Sequence, residues 1–152
     1  MISVSKNVLF VSMLLTIVVV LQFKDGESGL FDKPRVYVSI VNDLPHMQLR
    51  LHCKDKKNDL GEQLLPNTGQ SFTFDFKPSF WGVTLWYCSF SFYGSEVKYF
   101  DIYVENRDQD NCKHECHWKI RTGGPCKEVS PSEEECFQWN KDVDSSTRQL
   151  GQ

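Results

Sequence analysis

No apolar run in this chain reaches the roughly 20 residues that a membrane-crossing helix needs. The longest, Val8 to Leu21, is shorter and is broken by Ser12 and Thr16. Basic residues are not in excess either: 17 Lys and Arg stand against 20 Asp and Glu, for a net charge of −3. Nucleic-acid binding calls for a basic excess, and anionic membranes are held by polybasic patches, so neither is an expected partner. A membrane-disrupting defence protein would need a basic amphipathic face, which this balance does not supply. There is no Asn-x-Ser/Thr sequon, since Asn67 is followed by Thr68 and Gly69, and N-glycosylation is not expected. No Gly-x-Ser-x-Gly elbow occurs, and nothing resembles the His-Gly-Leu-Trp surroundings of secreted plant ribonucleases. Internal repeats and low-complexity segments are also missing.

What is present begins with a leader. Lys6 and the amino terminus supply positive charge, VLFVSMLLTIVVVL follows, and Gln22 to Gly29 brings polar and small residues. That order predicts a secretory signal peptide over residues 1–28, cleaved after Ser28. The mature chain then has roughly 120 to 125 residues, enough to bury about two thirds of its unfolded surface. Loss of Lys6, Lys24, Asp25 and Glu27 removes two charges of each sign and leaves the net charge at −3. No stable membrane insertion is expected after cleavage. Six cysteines remain, Cys53, Cys88, Cys112, Cys116, Cys126 and Cys136. An even number behind a signal peptide reads as a disulfide framework in an oxidising, extracellular compartment. Six cysteines allow 15 pairings, and sequence alone does not choose among them. Each bridge adds typically ~2–4 kcal/mol to a total stability of ~5–15 kcal/mol.

Short segments rich in β-branched and aromatic residues run through the mature chain. Val36–Val41 is a strand, and Asn42-Asp43-Leu44-Pro45 is turn chemistry. In Gln48–Cys53 the apolar Leu49, Leu51 and Cys53 alternate with polar residues. Glu62–Leu65 is a short strand. Ser71–Phe76 alternates Phe72, Phe74 and Phe76 with polar residues, as a half-buried strand does. Val83–Tyr93 and Val97–Val104 read as the central hairpin of the fold, with Phe100, Ile102 and Val104 in phase. Glu105–Asn111 reads as a polar connection, and His114–Arg121 as another alternating strand. Ser130-Pro131-Ser132-Glu133 has the pattern of a helix start, which predicts a short helix over Pro131–Trp139. The prediction is an all-β antiparallel sandwich of about seven to eight short strands, disulfide-stapled, with a short C-terminal helix. The domain is placed at residues 29–140 and a flexible tail at 141–152.

Candidate chemistry is sparse. The cluster Cys112-Lys113-His114-Glu115-Cys116-His117 has zinc-ligating residue types, but zinc needs free thiolates and the compartment favours disulfides. No metal or other cofactor is expected. His46 and His52 are the histidines weighed as an acid–base pair, and no catalytic residues are assigned. Glu133-Glu134-Glu135 reads as a solvated helix start rather than a calcium site. Trp81, between Phe80 and Gly82, reads as a residue at the edge of the core rather than an exposed anchor. Lys54, Asp55, Lys56, Lys57, Asn58 and Asp59 form a mixed-charge loop. Such a loop must lie in water, and it suits either plain solvation or selective partner contact.

Several motifs in order resemble the plant self-incompatibility S-protein homologue family. They are Val36 to Leu44, His52-Cys53-Lys54 through Asp59-Leu60-Gly61, Phe80-Trp81-Gly82 with Thr84, and Trp86-Tyr87-Cys88. Phe100-Asp101-Ile102-Tyr103, Arg107-Asp108, Cys112, Cys116-His117-Trp118 and Gly124 follow. The resemblance implies a small secreted β-sandwich protein acting as an extracellular ligand. Its expected partner is a protein receptor on another cell, which it binds as a monomer, and the expected role extends to rejection of self pollen. The alternatives are a defence or developmental protein, or a small secreted hydrolase or zinc-binding protein. The resemblance also matches Cys53, Cys88, Cys112 and Cys116 to family cysteines. It leaves Cys126 and Cys136 to pair with each other. A Cys112–Cys116 bridge is disfavoured, because three residues leading into a strand would hold the two apart. Lys56-Lys57-Asn58 stands where the family is usually more acidic.

Overall fold

The computed structural model describes residues 6–22 and 33–141. The expected cleavage bond after Ser28 and residues 142–152 of the expected tail lie outside them. Helix α1 (Lys6–Gln22) holds the apolar run Val8 to Leu21. No helix among the described residues is long and apolar enough to cross a membrane.

Among the described residues, the domain from Lys33 onward has nine strands. They are β1 (Val36–Asn42), β2 (Leu49–Lys54), β3 (Asp59–Leu65), β4 (Ser71–Phe76), β5 (Leu85–Ser91), β6 (Lys98–Val104), β7 (Glu115–Arg121), β8 (Gly124–Ser130) and β9 (Glu133–Cys136), with helix α2 (Glu105–Cys112) before β7. One sheet has the order β4-β1-β7-β8-β9 and the other β3-β2-β5-β6. The period-2 pattern decides what each sheet buries. Val36, Val38 and Ile40 of β1, Cys116, Trp118 and Ile120 of β7, and Leu49, Leu51 and Cys53 of β2 are all buried. Rings cross between the sheets: Phe74 lies 4.9 Å from Trp86, and Phe100 5.2 Å from Trp118. Asn42 is buried where β1 ends. Its side chain donates to the carbonyls of Met47 (2.8 Å) and Leu65 (3.0 Å) and accepts from the Leu44 amide (3.0 Å), which sets the turn.

The β-sandwich stands, with differences in detail. β1 and β7 pair in parallel, so the sheets are not wholly antiparallel. The β5–β6 hairpin is not central, since β6 is an edge strand. A bulge on β6 pairs Trp86 with Tyr103 and Cys88 with Phe100. The extra residue flips the phase, so buried Tyr103 takes the inward place expected for Val104. The stretch read as a polar connection, Glu105–Asn111, lies in a helix, Glu105–Cys112, because two of its acidic residues, Glu105 and Asp108, find partners when its inner side is buried. The expected helix over Pro131–Trp139 is instead a hairpin turn and β9. Ser130 pairs with Glu133, leaving Pro131-Ser132 as the turn, and Cys126 pairs with Cys136. Proline's fixed φ suits a turn as well as a first helical position, and the cross-strand bridge selects the hairpin.

All six cysteines are oxidised, as Cys53–Cys88, Cys112–Cys116 and Cys126–Cys136. The Cys112–Cys116 bridge corrects the sequence expectation. Cys112 ends α2 and Lys113 turns at φ 47°, which folds the chain back and sets the two Cα atoms 4.8 Å apart.

Candidate functional site

The loop between β2 and β3 is built by its own acidic residues. The Asp55 amide donates to the Asn58 carbonyl at 2.9 Å. The Asp55 carboxylate accepts from the amides of Lys57 (2.7 Å) and Asn58 (2.6 Å) and from the Asn58 side chain. This is the local capping that aspartate favours in turns. At the base, Asp59 lies 2.5 Å from the His52 ring and accepts the Gly61 amide at 2.8 Å. The hydrogen bond from His52, then that from Gly61, holds the Asp59 carboxyl below its ordinary value. Lys54 lies over the Tyr87 ring, 5.6 Å from its centroid. Of the six loop residues, four therefore have side-chain partners. Lys56 and Lys57 are exposed, and their ammonium groups have no partner among the described residues.

A second loop reaches the same end of that sheet. Lys54 pairs with Tyr87, and β5 begins two positions earlier at Leu85. The segment joining β4 to β5 thus arrives beside the β2–β3 loop. Its base is pinned: the Ser79 amide donates to Thr84 Oγ1 at 2.6 Å, and the Gly82 amide to the Ser79 carbonyl at 3.2 Å. The Thr84 amide donates to Glu105 Oε2 at 3.0 Å, and the Glu105 amide returns the bond to the Thr84 carbonyl at 3.0 Å. Lys33 bonds both the Ser79 carbonyl and Glu105. Trp81 at the tip is 82% exposed, so it is not the core-edge residue the sequence suggested. Half-buried Thr84 and buried Glu105 form the base and leave the tip in water.

Behind this end lies a buried charge network. Asp108 is fully buried and accepts from Arg107 (2.9 and 2.7 Å), from buried Lys127 (2.9 Å) and from the Val104 amide (2.8 Å). Arg107 and Lys127 both lie over the Trp118 and Phe137 rings. Burial, and then the charges of Glu105 and Asp108, push the nearby Tyr103 phenol up to about 12, so it stays neutral. Every charge here is paired, which marks the network as scaffold rather than as a reactive centre. Sequence reasoning placed Arg107-Asp108 among its motifs but missed Lys127, which looks locally like any surface strand lysine.

The residues weighed for chemistry do not come together. His46 sits in the turn before β2, while His52 lies toward the other end of that strand and holds Asp59. Cys112 and Cys116 are bridged to each other. The sulfurs of Cys126 and Cys136 lie within 4.8 Å of a Glu134 oxygen. Those sulfurs form a bridge and offer no thiolate. Glu134 itself pairs with Lys119 at 2.5 Å and Arg121 at 2.8 Å. A cavity of about 160 Å³ beside Lys33, Tyr103, Glu105 and Lys113 is small against the roughly 300–1,000 Å³ of small-molecule sites.

Against known proteins, residues 37–139 match the family model described as plant self-incompatibility protein S1. The chain belongs to this family. Within it, the chain is 46% identical to S-protein homolog 20 of Arabidopsis thaliana over 107 residues, covering 69% of this chain and 76% of that protein. It is 43% identical to S-protein homolog 19 of the same plant over 113 residues, 74% and 82% of the two chains. A solved structure of self-incompatibility protein homologues, described as a widespread family of small, highly stable, secreted plant proteins, superimposes with a TM-score of 0.53 at 18% identity. That match covers 71% of this chain and 96% of the other, and it shows the shared fold. The S1-family match ends at 139, so β8 and β9 lie inside the family domain even though their cysteines stood outside the motifs read from sequence.

Proposed function

We propose that this S1-family member is a secreted extracellular ligand that acts, without catalysis, by binding a protein receptor on another cell. In this reading residues 1–28 are a cleaved signal peptide and the mature domain works as a monomer. The observation that carries it is the loop Lys54–Asp59. Asp55, Asn58 and Asp59 spend their polar groups holding its shape, and Lys54 packs on Tyr87. Lys56 and Lys57 are left to present two cations in a fixed setting. Preorganised charge gives a binding surface selectivity and a faster on-rate. The pairing of all six cysteines suits the oxidising space outside the cell.

The test is the double variant Lys56→Ala/Lys57→Ala. Its circular dichroism and melting should match the parent, while binding of labelled protein to receptor-bearing cells should weaken. Unchanged binding would overturn the loop assignment. Rejection of self pollen is the narrower form of the proposal. Expression confined to the pistil supports it, and expression in root or leaf counts against it.

A further inference from the structure

Phe80, Trp81 and Val83 are 61%, 82% and 72% exposed. Three large apolar side chains within four residues make a patch of the kind that marks interaction sites on soluble domains. Their exposure is not slackness of the loop, because its base is tied through Ser79 and Thr84 to buried Glu105. Phe80 meets Trp81 edge to face at 5.5 Å, which orients the indole. Gly82 turns at φ 71°, and among the described residues no atom lies within 4 Å of where a Cβ would stand there, so the tip is open on that side. An indole held on a pinned turn loses little freedom on binding, and tryptophan is among the residue types enriched at binding hot spots.

The charge beside it specifies the occupant. Lys56 and Lys57, the unpaired cations of the neighbouring loop, stand at the same end of the sheet. We propose that the two loops form a single contact surface. Its partner is a protein that offers an apolar pocket to Trp81 and carboxylates beside that pocket to Lys56 and Lys57. A lipid surface fits less well, because the chain as a whole carries −3 and anionic membranes reward polybasic segments. The proposal rests on the receptor-binding reading above and adds the anchor and the partner's chemistry to it.

The test uses the full chain expressed through a secretory host, labelled with nitrogen-15 and titrated with the synthetic peptide Asp-Glu-Leu-Trp-Leu-Glu-Asp. One control peptide carries lysine in place of the acids, and the other serine in place of the apolar residues. Shifts confined to residues 54–59 and 79–84, including the Trp81 indole N–H, are expected. The parent protein should bind each control peptide at least about tenfold more weakly than the acidic one, and the Trp81→Ala and Lys56→Ala/Lys57→Ala variants should each bind the acidic peptide at least about tenfold more weakly than the parent does. These side chains are exposed, so unchanged spectra elsewhere will show the fold intact. Scattered shifts, or equal binding of either control, overturn the proposal. So do stronger perturbation of the same signals by phosphatidylserine vesicles, or concentration-dependent self-association through them. If only the lysine variant weakens binding, the anchor fails and the loop reading stands. If only the Trp81 variant does, the loop reading fails, and the two-loop surface with it.

Discussion

Asp108 shows how one residue can hold several elements together. It takes Arg107 from its own helix, Lys127 from β8 and the amide of Val104 at the end of β6. Asp108→Ala would leave Lys127, 1% exposed, with Glu135 at 3.4 Å as its one carboxylate partner among the described residues. Breaking a buried pair from one side costs about 3–5 kcal/mol, and urea unfolding should show a loss of that size. Lys127→Met should cost far less, because Asp108 keeps Arg107 and Val104, and equal losses would refute this account. Glu105 gives a pH dependence. Burial alone raises its carboxyl, but the bonds from Lys33 and Thr84 outweigh burial and hold it below the ordinary value. A lowered carboxyl adds stability above the ordinary pKa of about 4.3, and that stability disappears as pH falls through the folded value. Lys33→Met should therefore shift the acid unfolding midpoint to higher pH, as followed by tryptophan fluorescence. An unshifted midpoint would remove Lys33 from the account.

Among elements, the β8–β9 hairpin carries the largest correction. Its sequence, Ser130-Pro131-Ser132-Glu133, satisfies the local rules for a helix start. The hairpin wins through non-local terms: the Cys126–Cys136 bridge, the Phe137 amide donating to the Pro125 carbonyl at 2.9 Å, and Phe137 packing on Trp118 and Phe100. The chain beyond β9 then passes so close to β8 that Gly124, at φ 145°, has no room for a side chain. A Cβ there would lie 1.9 Å from the Phe137 carbonyl oxygen. Gly124→Ala should destabilise by more than about 1 kcal/mol and speed amide exchange first at Phe137. An alanine variant as stable and protected as the parent would show that the two segments part easily. The same non-local logic made α2, whose apolar content is low, a helix with buried acids.

For the whole molecule, burial grades the three bridges. Cys53 and Cys88 are fully buried between paired strands, whereas Cys136 is exposed on the edge strand. Thiol–disulfide exchange needs access to a sulfur. Mild reductant should open Cys126–Cys136 first and Cys53–Cys88 only on global unfolding. Differential alkylation with mass spectrometry reads that order, and early labelling of Cys53 would contradict it. The sandwich was legible in the sequence because one face of most strands is buried, so Leu49-Leu51-Cys53 and Phe72-Phe74-Phe76 print the period directly. The β6 bulge was not legible, since an added residue changes phase without changing composition. Nor was the parallel β1–β7 pair, which joins segments distant in sequence. At the candidate site, the position of the charged loop was legible from solvation alone. The split within it, between residues that brace the turn and two free lysines, depends on which side chains reach which amides.

Composition and periodicity by themselves determined a disulfide-stapled β class and a charged projecting loop, because these follow from solvation and alternation, which act locally. Only the tertiary structure decided the cysteine partners, the choice of hairpin over helix at Pro131, the burial of Lys127 and the exposure of Trp81. Each depends on what a distant segment brings alongside, and no local pattern encodes that neighbour.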